Sequence, residues 1–408
     1  MTSTVYIAKN VYGGDGLGRL GDGRVVFVPG AWTGENVKAE IVEEKRHFVK
    51  ARLVEVVEPS PDRIAAGEEV AVPGCVYSEL SWPGERRVKT AQLVDFLERA
   101  RLSSAVEEAA FAGEPLHYRN KAVYHFARQG GKWAFGYRRE GTHDVVDLAH
   151  DPMVVRAIDA QLPEIRRSVT ALLTTGPESV RRDTARKESV TVRWTPKTGV
   201  KWWIGEAPKG LVLKETTCGL DFEVPADGFY QVNPAVGETL VRAVVDEYVR
   251  GADAAPDLLD LYCGVGVFGL ACVRHRAAGT PPPKLTGIES GRQAIDFAKR
   301  NAQALGVEAR FFAEEVGRNL RRIPIGRRTT VIVDPPRGGL EPRVPGWLAQ
   351  SGAPRILYVS CDPATLMRDL RTLASGYDVE RVQRFDMFPR TARFETLVTL
   401  KRKERETK

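Results

Sequence analysis

A cysteine and a glutamate near the C-terminal end carry the strongest chemical signal in this sequence. In RILYVSCDPATLMRDLRTL an apolar strand, Ile356 to Val359, runs into Ser360-Cys361-Asp362-Pro363 and then a helix. Asp362 suits the N-cap and Pro363 the first helical position. Cys361 therefore lies immediately before a helix N-terminus, where the dipole favours an anion by roughly 0.3 to 1 kcal/mol and draws the thiol toward thiolate. Further on, QRFDMFPRTARFETLVTLKRK places Glu395 at the entrance to a last apolar strand, Leu397 to Leu400. A carboxylate there is ordinary by itself, but a nucleophilic cysteine gives it work. C5 of a pyrimidine is a poor nucleophile until something adds to C6. A thiolate adding there makes an enolate whose C5 can attack a sulfonium methyl, and a base must then remove the C5 proton so that the cysteine is expelled. Cys75, Cys218 and Cys272 read instead as small buried hydrophobes.

The elements that must position this pair begin with PDLLDLYCGVGVFGLACV, a buried strand from Leu258 to Tyr262 followed by a glycine turn and a helix. Gly264, Gly266 and Gly269 match G-x-G-x-x-G, so a nicotinamide-dependent oxidoreductase is one alternative. It leaves Cys361 and Glu395 without a role, and other adenosine cofactors also need such close backbone approach. Glu289 ends the next strand, KLTGIE, where a carboxylate can accept from both ribose hydroxyls. Asp260, inside the first strand, orders the glycine turn or reaches the cofactor's amino-acid end. Upstream, Asn233 and Pro234 open a helix in GFYQVNPAVGETL, which leaves Gln231 without a structural reason. A third strand, Val331 to Val333, ends in Asp334-Pro335-Pro336-Arg337, where successive prolines force the chain out of the sheet at the cofactor face. Amino-methylating enzymes end a similar loop in an aromatic that stacks on the base. Arg337 and glycines stand here instead, which argues against adenine-amino methylation.

Strands alternating with helices from about Asp221 onward predict a parallel sheet covered on both faces. The first 58 or so residues differ: short apolar runs separated by glycine turns predict a small antiparallel barrel. Arg19, Lys38, Lys45, Arg46, Lys50 and Arg52 lie on it, as an RNA-binding face or as a charged, soluble strand edge. Between barrel and sheet, residues 59–222 have mixed character. An amphipathic helix is predicted in SWPGERRVKTAQLVDFLERARL, with Val88, Leu93, Phe96 and Leu97 on one side. A hairpin turning at Gly130-Gly131 follows, whose Tyr118, Arg119, Lys121, His125, Arg128 and Arg138 could meet nucleic acid or could pack and solvate in the ordinary way. The charged terminus KRKERETK reads as frayed.

Length and composition agree with two or three packed domains: 408 residues, 43% hydrophobic, with 60 Lys plus Arg against 53 Asp plus Glu for a net charge of +7. The basic balance suits a polyanion without demonstrating one. No stretch approaches the roughly 20 apolar residues that span a bilayer, and MTSTVYIAKN has no signal pattern, so no membrane is expected and the location expected is cytoplasmic. There the five cysteines would be reduced, and none forms a C-x-x-C pair.

The pieces FYQVNP, LDLYCGVGVFGL, the acid in GIES, VDPPRGGL, YVSCDPATLMRDL and DMFPRTARFETL, in that order, resemble the RNA 5-methyluridine methyltransferases, and specifically the 23S rRNA uracil branch with an N-terminal TRAM domain. The resemblance covers the last 180 residues well and the middle region loosely. It implies an α/β fold: a Rossmann-like class I S-adenosylmethionine methyltransferase domain (223–408), a mixed α+β central RNA-recognition domain (59–222) and an OB-like TRAM barrel (1–58). It also implies Cys361 as nucleophile and Glu395 as base, with Gln231, Tyr262, Gly264, Glu289 and Asp334 at the S-adenosylmethionine site. Val267 stands where asparagine is usual, so one polar contact is expected to be missing or supplied elsewhere. Structured RNA is the implied partner, 23S rRNA ahead of the transfer RNA T-loop, for a monomeric enzyme. A silent RNA-binding protein would be expected to lack Cys361 or Glu395, and cytosine C5 methylation usually places its nucleophile in a different loop. Many TRAM-bearing relatives hold a 4Fe-4S cluster on four cysteines. Here only Cys75 remains, with Asp151 at the fourth position, so no cluster and no metal site is expected.

Overall fold

The computed structural model describes residues 2–102, 105–109, 113–252, 256–276, 279–318 and 320–404. Residues 405–408 of the tail expected to fray lie outside these; Lys401 and Arg402 belong to the last strand.

Strands β1 (Thr2–Asn10), β2 (Gly16–Arg19), β3 (Val25–Val28), β4 (Asn36–Glu44) and β5 (Phe48–Glu58) close into a barrel in the order β1-β2-β3-β5-β4. Alternation drives the closure: Val5, Ile7, Val26, Val28, Val37, Ala39, Val49 and Ala51 point inward and fill it. Of the cations on its surface, Lys38, Lys45, Lys50 and Arg52 are ion-paired to Glu55, Glu43, Glu43 and Glu40. Those four follow the solvated-edge reading.

After helix α1 (Trp82–Arg99) come β6 (Val106–Glu108), β7 (Lys121–Gln129), β8 (Lys132–Arg138), β9 (Val145–Asp147), α2 (Arg156–Asp159), α3 (Leu162–Thr174), α4 (Glu178–Lys187), β10 (Ser189–Thr195) and β11 (Gly199–Ile204). Five of these strands form a sheet in the order β11-β10-β7-β8-β9, with α2 and α3 packed on Tyr124, Phe135, Val190 and Val192. The β7–β8 turn falls at Gly130-Gly131, both at positive φ, as a two-residue hairpin requires. Tyr118 is buried and so is not part of a contact surface. The predicted face of α1 divides: Leu93 and Leu97 enter the core of the C-terminal sheet, whereas Val88 packs on Trp32, Tyr77 and Leu80.

A hairpin of β12 (Val212–Thr217) and β13 (Leu220–Pro225) leads into α5 (Pro234–Gly251), β14 (Asp257–Leu261), α6 (Val267–Arg274), β15 (Leu285–Glu289), α7 (Arg292–Ala304), β16 (Ala309–Ala313), β17 (Thr329–Val333), α8 (Val344–Gln350), β18 (Arg355–Ser360), α9 (Pro363–Leu373), β19 (Tyr377–Phe385) and β20 (Glu395–Arg402). The sheet order is β16-β15-β14-β17-β18-β20-β19-β6. Both faces are covered, as expected: Ile332 and Leu357 face α5, α6 and α7, and Val331, Val333, Ile356 and Tyr358 face α1, α8 and α9. The sheet is not purely parallel. Strand β20 runs antiparallel to β18 and β19, and β6 from the middle region joins the edge alongside β19. Among the described residues no helix is long and apolar enough to cross a membrane.

Candidate active site

The turn after β14 works as its glycines demand. Tyr262 (φ 63), Gly264 (φ 54) and Gly266 (φ 88) are left-handed, and α6 starts directly behind them. Tyr262 pays a steric cost that glycine would not, a feature typical of ligand sites. Asp260 orders the turn by accepting from the Gly269 N–H at 3.0 Å. A Cβ on Gly269 would stand 2.8 Å from Leu285 and 2.9 Å from Asp260.

Beside this turn lies a pocket of about 570 Å³ of empty space, lined mainly by apolar groups and by Gln231, Tyr262, Gly264, Val267, Phe268 and Asp334. Four of the five predicted cofactor residues thus converge. The fifth, Glu289, sits at the end of the neighbouring β15 and is not on the lining; its carboxylate accepts from Ser290 Oγ at 3.0 Å and the Gly291 N–H at 2.8 Å. Gln231 is positioned from the middle region, since the Asn120 N–H donates to the Val232 carbonyl at 2.8 Å and its side chain to the Gln231 carbonyl at 3.3 Å. Asp260 Oδ1 and Asn233 Nδ2, on residues within two positions of the lining Tyr262 and Pro234 but not on the lining themselves, are buried with no partner among the described residues. An apolar slot with the polar groups of Gln231, Tyr262 and Asp334 on its lining fits an adenosine-containing cofactor.

Cys361 and Glu395 meet because β18 and β20 are antiparallel neighbours. The ladder pairs Ser360 with Thr396, and one step further the same register sets Cys361 opposite Glu395. Asp362 caps α9 as predicted, accepting from the Ala364 and Thr365 N–H groups at 3.0 Å each. The thiol, however, is not drawn toward thiolate. Burial first, then Glu395 and Asp334, push Cys361 up to about 12, against a lowering by Arg337. Desolvation here outweighs the helix dipole. Burial also holds Glu395 well above the ordinary carboxylate range, with Asp334 adding and Arg337 opposing. Burial and nearby Asp260 bring Asp334 up to about 7. Asp334 is therefore the group common to the pocket and the cysteine–glutamate pair.

The loop carrying Asp334 and Arg337 is clamped by α9. The Leu340 N–H donates to Asp369 at 2.9 Å, Arg368 donates to the Gly338 and Leu340 carbonyls at 2.9 and 3.1 Å, and Thr365 Oγ1 donates to the Arg337 carbonyl at 3.2 Å. Farther along, the Tyr262 hydroxyl donates to Glu341. The sequence reading missed Glu341, and it missed Phe229, an aromatic 73% exposed at the pocket rim. The only signal for Phe229 is an aromatic two residues before the unexplained Gln231.

Cys75 packs with Val72, Tyr118 and Met153, away from the pocket. Asp151 is fully engaged, accepting from the Tyr124 and Tyr137 hydroxyls at 2.8 and 2.7 Å and the Met153 N–H at 2.9 Å. One thiol and a satisfied carboxylate do not fit a four-thiolate cluster, and the described residues contain no group of three His, Cys, Asp or Glu side chains arranged for a metal.

A family model for tRNA (uracil-5-)-methyltransferases matches residues 212–403, and one for the TRAM domain matches residues 2–54. An uncharacterized RNA methyltransferase of Thermotoga maritima is 30% identical over 457 residues, spanning 99% of this chain and 100% of that protein. Another from Gloeobacter violaceus is 30% identical, spanning 98% and 96%. The crystal structure of Pyrococcus abyssi tRNA (uracil-54, C5)-methyltransferase, in complex with S-adenosyl-L-homocysteine, superposes with a TM-score of 0.73 at 22% identity, covering 97% of this chain and 99% of that one. With its glycine turn, cofactor pocket and N-terminal barrel, this chain belongs to the tRNA (uracil-5-)-methyltransferase family in its TRAM-bearing form, and it is an S-adenosylmethionine-dependent RNA methyltransferase.

Proposed function

We propose that the protein methylates C5 of a uracil in 23S rRNA, with Cys361 as nucleophile and Glu395 as the base. The observation that carries this reading is the β18–β20 register, which sets the two residues opposite each other beside Asp334 and the cofactor pocket. Gln231, Tyr262, Gly264, Glu289 and Asp334 would hold the cofactor. When bound, S-adenosylmethionine supplies an electrophilic methyl group to C5. Cys361 gives its proton to water and bonds through Sγ to C6, moving the C5–C6 electron pair toward O4 as an enolate, and C5 would use that pair to bond the methyl. Glu395, as carboxylate, later takes the C5 proton; that electron pair restores C5=C6 and the Sγ–C6 bond breaks. Arg337 favours the anionic forms that both residues need, because its cation lowers each against the burial that raises them.

The proposed division is a TRAM barrel at 1–58, a central RNA-recognition region at 59–222 and a catalytic domain at 223–408, with α1 and β6 lent by the middle region to the catalytic core. The resemblance to the TRAM-bearing 23S branch is what favours rRNA as substrate, and the protein is proposed to act in the cytoplasm as a monomer. The description of the matching family model names transfer RNA and favours a second reading, the same chemistry on a tRNA uridine. Mass mapping of 5-methyluridine in RNA from cells with and without the gene separates them. Loss of one rRNA methyl is expected; loss confined to transfer RNA would replace the substrate and keep the chemistry. Turnover retained by Cys361→Ser would remove the chemistry itself.

A further inference from the structure

The barrel reaches the catalytic residues through one turn. Residues 11–15, between β1 and β2, are seated on the rest of the molecule: the Val11 carbonyl accepts from Gln92 of α1 at 2.8 Å, and Lys9 pairs with Asp95 of α1 at 2.5 Å. Gly14 is left-handed at φ 103, and a Cβ there would lie 2.9 Å from Val76. From this fixed turn Tyr12 leaves the barrel altogether. Its ring meets Phe96 of α1 and Phe394 edge to face, at centroid distances of 5.8 and 5.7 Å. Its hydroxyl accepts from Arg393 Nη1 at 3.4 Å, and the same guanidinium nitrogen lies 3.8 Å from Asp362 Oδ2.

Phe394 directly precedes Glu395, and Asp362 directly follows Cys361. One side chain from the N-terminal barrel therefore braces the segment that carries the base and, through Arg393, the segment that carries the nucleophile. We propose that Tyr12 is a positioning residue for methyl transfer, fixing Glu395 relative to Cys361, so that the barrel completes the active site in addition to any part it has in holding RNA. This rests on the assignment of Cys361 and Glu395 given above. Covalent addition and proton removal at adjacent ring carbons tolerate little displacement of either group, so loss of a brace should reach turnover before it reaches binding.

The test uses the full-length chain as Tyr12→Phe and Tyr12→Leu, with Tyr6→Ala, an exposed residue of β1, as the barrel control. Turnover, KM for RNA, the rate of covalent adduct formation with 5-fluorouridine RNA and thermal stability are measured for each. Tyr12→Phe keeps both ring contacts and loses one weak hydrogen bond, so kcat and the adduct rate should fall about 2- to 10-fold with KM within about twofold. Tyr12→Leu loses the ring contacts as well, and kcat should fall about 10- to 100-fold. Tyr6→Ala should leave kcat unchanged. Combined with Arg393→Gln, Tyr12→Phe should cost less in kcat than the product of the two single losses, because both remove the same link. Normal kcat in Tyr12→Phe, with only KM or thermal stability altered, would overturn the proposal. So would strict multiplicativity with Arg393→Gln. If Cys361→Ser is inactive while the Tyr12 variants keep full kcat, the brace fails alone; if Cys361→Ser keeps turnover, the underlying chemistry has failed first.

Discussion

The ammonium of Lys89 lies 2.8 Å from a carboxylate oxygen of Asp386 and 3.1 Å from the carbonyl oxygen of Phe388, and both charged groups are buried. Lys89 also pairs with Glu85 one turn earlier on α1, and Glu85 in turn accepts from the backbone N–H and guanidinium of Arg390. The loop leading to Glu395 is thus held by a chain of buried ions reaching it from a helix nearly 300 residues earlier in the sequence. Arg390 is left-handed at φ 65 and packed between Glu69 and Glu85, so its backbone and side chain are fixed together.

Removing one member of that chain should be costly. Arg390→Ala leaves Glu69 buried without its cation and Glu85 held by Lys89 alone, and a loss of about 3 to 5 kcal/mol in unfolding free energy is expected. Urea denaturation followed by tryptophan fluorescence measures it. A loss under about 1 kcal/mol would mean that water or another cation replaces the guanidinium.

The raised thiol gives a pH signature. Because burial, Glu395 and Asp334 push Cys361 up to about 12, alkylation of the free protein by iodoacetamide should rise about tenfold per pH unit from pH 7 to 9 without a plateau. Arg337→Ala removes a cation that lowers the thiol, so it should alkylate more slowly at every pH in that range. Peptide mass spectrometry follows the site, and a plateau below pH 8 would contradict the electrostatics described.

In the proposed mechanism Glu395 and Cys361 act at different moments, so their variants should fail differently. Cys361→Ala is expected to bind S-adenosylmethionine and never form a denaturation-resistant complex with 5-fluorouridine RNA. Glu395→Gln should form the adduct on ordinary RNA and release it slowly, accumulating trapped complex on a denaturing gel. Freely released methylated product at the normal rate would take the base role from Glu395.

Two glycines should respond oppositely to one added methyl. Gly269→Ala drives a Cβ to within 2.8 Å of Leu285 and 2.9 Å of Asp260, disturbing the carboxylate that orders the cofactor turn. Cofactor affinity measured by calorimetry is expected to fall about tenfold, near 1.4 kcal/mol. Gly346→Ala, in α8 with nothing within 4 Å of the new carbon, should raise stability by about 0.5 to 1 kcal/mol. Equal cofactor affinity for Gly269→Ala and the parent would show that the turn adapts.

Local rules read from sequence covered the strand, glycine turn and helix of the cofactor site, the caps Asn233 and Asp362, the hairpin at Gly130-Gly131 and the barrel. Each depends on neighbours within a few residues: apolar alternation, a side-chain oxygen reaching the next N–H, or a backbone needing positive φ. The residues proposed to carry chemistry stand out for the same reason, since Cys361 and Glu395 each sit at a strand end in a distinctive short motif. Their meeting was not legible as geometry. It depends on β20 returning antiparallel beside β18, and a strand's own sequence does not specify its neighbour in the sheet. Protonation states were also beyond local reading, because burial is a property of the whole fold and it reversed the expectation for the thiol. The contacts of Tyr12, Lys89 and Arg390 belong to the same class: side chains ordinary in sequence, brought to the active-site loop only when the barrel, α1 and the catalytic sheet pack together.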